Sequence, residues 1–196
     1  MANMQSTKED RRILRTRRMI DEAMMTLLEE KPFNEINVTE LCEKADINRN
    51  TFYAHYEKPL DVLKHLEDTM MDQITEALSD SDISENVTEK ALSVLEGNKR
   101  LTKILHSDHT GSDFSEKIFQ LANTRALSVA ETRASRLSPA YESMLSHFAI
   151  AGGTAVVKYW AENDFQESSR DIAEFIHHVT CYGIYNMQDD PAPKYQ

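Results

Sequence analysis

Glycine, proline and cysteine are scarce in this chain: five, five and two among 196 residues. So few glycines form no phosphate-cradling loop, and nucleotide-dependent catalysis has no motif behind it. Cys42 and Cys181 fit no disulfide framework and no metal-ligand spacing, and each reads as a small core residue rather than a redox sensor. Long apolar runs are missing too. The longest uncharged apolar stretch, Phe148–Val157, is far short of the roughly 20 residues that cross a bilayer. The opening residues MANMQSTKEDRR hold no apolar core and no cleavage pattern, so no signal peptide and a cytoplasmic location are expected. No Ser/His/Asp or Cys/His arrangement can be argued from the spacing. An enzyme has no motif in its favour, and no cofactor is expected. His106-x-x-His109 has metal-like spacing but no third ligand in view, so no metal is expected either.

Positive charge is in deficit overall, with 22 Lys+Arg against 33 Asp+Glu and a net charge of −11. The deficit is unevenly spread. Residues 1–65 carry a net −1 and residues 66–196 a net −10, while residues 1–18 alone carry +4 through Lys8, Arg11, Arg12, Arg15, Arg17 and Arg18. A basic arm on an acidic body is a footprint for nucleic-acid contact, although a merely solvated helix face has the same composition.

Apolar residues make up 40% of the chain, enough for a packed core, and they recur at helical period. The pattern predicts an all-α chain. A first helix starts near Thr7 on a Ser6–Glu9 capping box and stops at Pro32. Asn37 and Glu40 can box the start of a short second helix bearing Leu41 and Ala45. Asp46-Ile47-Asn48 reads as a tight turn, Asn48 caps a third helix over Arg49–Tyr56, and Pro59 opens a fourth. Further helices are expected at 84–106, 113–135, 139–162 and 168–187, with a loop at 107–112. The expected domains are 1–65 and 66–188, followed by a frayed tail at 189–196.

Two short helices about a three-residue turn, behind a longer helix, describe a helix-turn-helix unit. Reading DNA needs one exposed helix narrow enough for the major groove and a second to brace it. Leu41, Ala45, Ile47, Phe52 and Tyr56 would pack the brace. Arg49, Asn50, Thr51, Tyr53, Ala54 and His55 would then point outward, and they include groups that reach base edges and phosphates.

The stretch Val38–Tyr56, with its Thr51-Phe52-Tyr53-Ala54-His55-Tyr56 core, resembles the DNA-binding signature of the TetR family of bacterial repressors, and the match extends over about residues 8–66. The resemblance implies an all-helical homodimer with an N-terminal helix-turn-helix domain and a larger helical effector-binding and dimerisation domain. Val38 and Thr39 would lie against the sugar-phosphate backbone, with Thr39 also able to reach a groove edge. Arg49 and Asn50 would read bases, and Thr51, Tyr53 and His55 would contact phosphates or bases. The family usually has glycine where Asp46 stands and lysine where Pro59 stands. Lys58 or a bare helix N-terminus would then have to supply the fourth-helix phosphate contact.

Phe148–Trp160 and the amphipathic helix after it resemble the last two helices of one TetR subgroup, which form a four-helix dimer interface. Small residues at 149, 151–153 and 155, and an apolar stripe of Ile172, Phe175, Ile176, Val179 and Tyr182, agree with that. Phe114, Phe119, Met144, Phe148, Trp160 and Tyr182 are candidates to line a pocket for an unknown small-molecule effector, or else plain core. The partners expected are a double-stranded DNA operator, a second copy of the chain and that effector, with no membrane. The alternative is a helical protein-interaction module with weak or no specific DNA binding.

Overall fold

The computed structural model describes residues 2–79, 87–111, 114, 117–118, 121 and 138–189. Every regular element among them is helical: α1 Ala2–Glu30, a 3-10 turn Phe33–Glu35, α2 Val38–Lys44, α3 Arg49–Tyr53, α4 Pro59–Ser79, α5 Val87–Gly97, α6 Lys99–His106, α7 Pro139–Glu162 and α8 Ser169–Asp189. The chain divides into two compact units. One is Met1–Asp72 with Ser107–Ser112, and the other is Gln73–His106 with Asp113–Gln196. The division therefore falls inside α4. The expected helix at 113–135 lies almost wholly outside the described residues, as does the tail from 190 on.

In the first unit, α1 begins at Ala2 rather than near Thr7. Ser6 is already inside the helix, so the apparent capping box does not start it. No glycine or proline interrupts the chain before Pro32, and nothing local stops the helix from propagating toward the N-terminus. Ile20, Met24, Leu27 and Leu28 of α1 are buried with Leu41, Phe52, Val62, Leu63 and Leu66. Segment 107–112 belongs to this unit. The His109 carbonyl accepts from Phe33 N–H at 2.7 Å, and His109 Nδ1 lies 2.8 Å from the Leu28 carbonyl. That contact satisfies one of the carbonyls left open at the end of α1.

In the second unit, the single helix expected over 84–106 is two helices. Gly97 and Asn98 break it: Asn98 N–H turns back to Leu95 O at 3.2 Å, and Asn98 O accepts the Thr102 N–H of the new helix at 2.9 Å. The Thr102 hydroxyl donates to Leu95 O at 2.9 Å, so the break is bonded on both sides. Phe114, Trp160, Ala161, Phe165 and Ala173 lie in the core. Trp160 Nε1 donates to Glu167 O at 2.9 Å, and its ring meets Phe165 edge-on at 4.8 Å.

The end of α7 is a Schellman motif. Phe165 N–H reaches Trp160 O at 3.0 Å and Asp164 N–H reaches Ala161 O at 3.3 Å. Asp164 and Phe165 adopt φ of 61° and 55°, a conformation unusual for a bulky residue. Burial of Phe165 and an ion pair between Lys103 and Asp164 hold the turn.

Candidate nucleic-acid interface

The helix-turn-helix is assembled from caps. Asn37 Oδ1 accepts from Thr39 N–H at 3.0 Å and from Glu40 N–H at 3.2 Å. Glu40 Oε2 accepts from Asn37 N–H at 3.2 Å, which closes a capping box. Lys31 Nζ, 2.6 Å from Glu40 Oε1, ties that box to the chain just past α1. A second Schellman motif ends α2, with Ile47 N–H on Cys42 O at 3.0 Å and Asp46 N–H on Glu43 O at 3.3 Å. It needs a left-handed residue after the helix, and Asp46 supplies it at φ 51°. Asn48 Oδ1 then accepts from Thr51 N–H at 2.8 Å and starts α3.

α3 is shorter than the expected Arg49–Tyr56. It closes at Tyr53, although His55 and Tyr56 N–H both still bond Phe52 O, at 2.9 and 3.0 Å. One face of this segment is anchored: Leu41, Ala45, Phe52 and Tyr56 are buried, and Ile47 is half-buried. The opposite face is open. Arg49, Asn50, Tyr53 and Ala54 are exposed, and Thr51 and His55 are half-buried. Tyr53 keeps 56% of its surface accessible, far more than a core tyrosine would. Val38 and Thr39 are half-buried at the start of α2, and Lys58 is exposed.

The arm of α1 joins this surface. Arg11, Arg12, Arg15, Arg17 and Arg18 are all exposed. Arg12, Ile13 and Thr16 line a shallow cleft of about 460 Å³ together with Asn48, Asn50, Thr51, Ala54 and His55. Burial first, and then the Arg17 charge, hold the His55 pKa below the ordinary imidazole value, so His55 presents a neutral ring at physiological pH.

Three features here were not read from the sequence. Arg49 Nη2 donates to Thr39 Oγ1 at 2.5 Å, linking the first residue of α3 to the first turn of α2. Asp21 sits 3.4 Å from the Tyr56 hydroxyl, which donates to it, and 3.9 Å from His65 Nε2. Desolvation raises its carboxyl pKa, opposed by His65, Tyr56 and Arg17. The N-terminus of α4, finally, is not bare. Asp61 Oδ2 accepts from Glu57 N–H at 3.1 Å and from Lys58 N–H at 3.0 Å. A carboxylate therefore already holds the two N–H groups just ahead of the helix, beside the exposed Lys58 side chain. Spacing alone does not reveal long-range pairs such as Arg49–Thr39. The Asp61 cap had a local signal, an acidic residue two positions after Pro59.

The six candidate pocket residues fall in different surroundings. Phe114 and Trp160 are fully buried, whereas Met144 and Phe148 are 66% and 72% exposed on α7. Phe119 lies outside the described residues, and Tyr182 is described for its backbone alone, within α8. Cys42 is buried, and burial pushes its thiol pKa up, away from reactivity. His106 and His109 lie in different units, and no cluster of three metal-ligating side chains occurs among the described residues. None of the helices among the described residues is long and apolar enough to cross a membrane.

A capped two-helix unit with one buried and one exposed polar face is the working part of a helix-turn-helix DNA-binding protein. Residues 82–180 match the TetR_C_8 family, described as a transcriptional regulator C-terminal region. The chain belongs to the TetR family of transcriptional regulators. It is 33% identical over 91 residues to the uncharacterized HTH-type transcriptional regulator YxbF of Bacillus subtilis (strain 168), a match spanning 44% of this chain and 24% of that protein's length. A TetR transcriptional regulator from Streptococcus agalactiae 2603V has the same fold, with TM-score 0.66 and 20% identity over 89% of this chain and 98% of the other. The dihydroxyacetone kinase operon activator DhaS shares it at TM-score 0.57 and 16% identity, over 87% and 97% of the two chains.

Proposed function

We propose that the chain is a sequence-specific regulator that binds a pseudo-palindromic DNA operator as a homodimer and represses transcription until a small-molecule effector releases it. The observation that carries this reading is α3: Phe52 anchors one face while Arg49, Asn50 and Tyr53 stand exposed on the other. Arg49 and Asn50 would read bases, with donors suited to guanine and adenine edges. Val38, Thr39 and Lys58 would lie on the sugar-phosphate backbone, Thr51, Tyr53 and His55 would contact phosphates or bases, and the arginines of α1 would add steering charge.

The homodimer would form through α7 and α8, about residues 139–162 and 168–187. Tyr141, Met144, Phe148 and Tyr159 form an exposed stripe at helical spacing on α7, and Phe175 and Val179 are exposed on α8. Between the large residues of α7 lie Ala151, Gly152 and Ala155, also exposed and small enough for a partner helix to approach closely. In such a dimer the two reading helices enter grooves about 34–36 Å apart. The effector, of unknown identity, would act from the second unit. It would release DNA only to the extent that it prefers the DNA-incompetent state.

The test is selection of bound duplexes from a random library at near-physiological salt with the purified chain. An enriched inverted repeat is expected. Affinity for that repeat should fall steeply with salt, by about 0.9 log units per log unit of salt for each phosphate neutralised. No enrichment from folded, dimeric protein refutes the reading and favours a protein-interaction module. A reporter placed behind the selected repeat then distinguishes repression from activation, the role named for DhaS.

A further inference from the structure

We infer that Thr39 is the positioning residue for Arg49, and that the pair reads a single guanine in each half-site as one unit. This rests on the DNA-reading role proposed above for Arg49 and goes beyond it.

Arg49 is exposed, and a long exposed side chain ordinarily samples many rotamers. Here its Nη2 donates to Thr39 Oγ1 at 2.5 Å, across ten residues of chain and from one helix of the motif to the other. The backbone at both ends of that bond is anchored. Thr39 stands on the first turn of α2, with its N–H held by Asn37 Oδ1 at 3.0 Å. Arg49 is the first residue of α3, directly after the Asn48 cap.

The chemistry leaves the guanidinium able to read. Nη2 carries two protons, one on the end-on fork with Nη1 and one on the side-on fork with Nε. Whichever proton Thr39 accepts, the other fork keeps both of its donors. A planar two-donor fork matches O6 and N7 of guanine in the major groove. The Thr39 hydroxyl accepts from Arg49 and retains its own proton, which can go to a backbone phosphate. Thr39 thus couples a phosphate contact, which sets register, to the side chain that reads the base.

The experiment compares the wild type with Thr39→Val, Thr39→Ser and Arg49→Ala in the same random-library selection at fixed salt, using the full chain. Valine keeps the shape of threonine and removes the acceptor, whereas serine keeps the hydroxyl. Thermal unfolding of each variant confirms that it is folded. The wild type is expected to fix one guanine per half-site, with that preference lost in Arg49→Ala. Thr39→Val should lower the preference for that guanine by about 2- to 10-fold, the cost of immobilising one rotamer-rich side chain on binding. Thr39→Ser should retain the preference.

The inference is overturned if Thr39→Val keeps the full preference. It is also overturned if Thr39→Val weakens all sequences alike, which is the signature of a phosphate contact alone. An enriched repeat whose base preference ignores Arg49→Ala overturns it while leaving the proposed function standing. No enriched repeat from the wild type overturns both.

Discussion

Replacing Asn37 with alanine isolates how much of the helix-turn-helix depends on one cap. Asn37 Oδ1 accepts two backbone N–H groups at 3.0 and 3.2 Å, and its own N–H is held by Glu40 at 3.2 Å. α2 has seven residues, well below the ~12–15 at which an isolated helix becomes even marginal in water, so its first turn cannot hold itself. Loss of an N-cap side chain costs about 0.5–2 kcal/mol, typically about 1. The two donors are exposed and water can take them, which argues for the middle of that range rather than the top. In a unit of this size 1 kcal/mol moves the midpoint by about 4–8 °C.

With two compact units in one chain, unit-specific probes are needed. Amide exchange at Thr39 and Glu40 reports on the cap, and thermal unfolding followed by hydrogen exchange over α1 to α4 reports on the first unit. Trp160, the single tryptophan, is buried in the second unit. Its fluorescence transition should not move and serves as an internal control. Asn37→Asp keeps the acceptor and should stay near the wild type. A first-unit midpoint within about 1 °C of wild type for Asn37→Ala would refute the reasoning, as would an equal loss in Asn37→Asp.

Asp46→Gly should raise first-unit stability by several tenths of a kcal/mol up to about 1, because glycine adopts φ near 51° without strain; a lower midpoint would show that the aspartate side chain stabilises the turn. Phe148→Glu alters a residue 72% exposed in the single chain, so folding should survive while sedimentation shows loss of the proposed dimer; an unchanged dimer would count against Phe148 in that interface. His106 is buried, with Nδ1 2.9 Å from Thr102 O and, among the described residues, no hydrogen-bond partner for Nε2, and burial holds its pKa below 6.5. The unfolded chain therefore takes up the proton first. The contribution of His106 to second-unit stability is complete above about pH 6.5 and is lost as pH falls through the lower folded value. Urea midpoints from Trp160 fluorescence should thus drop between pH 7 and 5, and less so in His106→Gln; parallel curves would assign the dependence to other groups.

Local chemistry by itself determined a good part of this protein. Asn37 with Glu40, Asn48 before Arg49 and Pro59 at the head of α4 are short-range signals, and each lies where its helix begins. The spacing of Leu41, Phe52 and Tyr56 was enough to separate the buried face of the motif from the exposed one, because helical period alone assigns faces. The same short-range logic misplaced the start of α1, since a capping-box pattern does not interrupt a helix that nothing upstream opposes. It also ran one helix through Gly97-Asn98, where Thr102 and Leu95 bond across a break.

Only the tertiary structure decided which side chains meet. Thr39 with Arg49 and Asp21 with Tyr56 and His65 are separated by tens of ångströms of extended chain and come together through packing. Phe114, Trp160, Met144 and Phe148 were equivalent as large apolar residues in the sequence. Folding buried the first two and left the last two exposed, because a side chain's exposure depends on what packs against its helix face rather than on its own hydrophobicity.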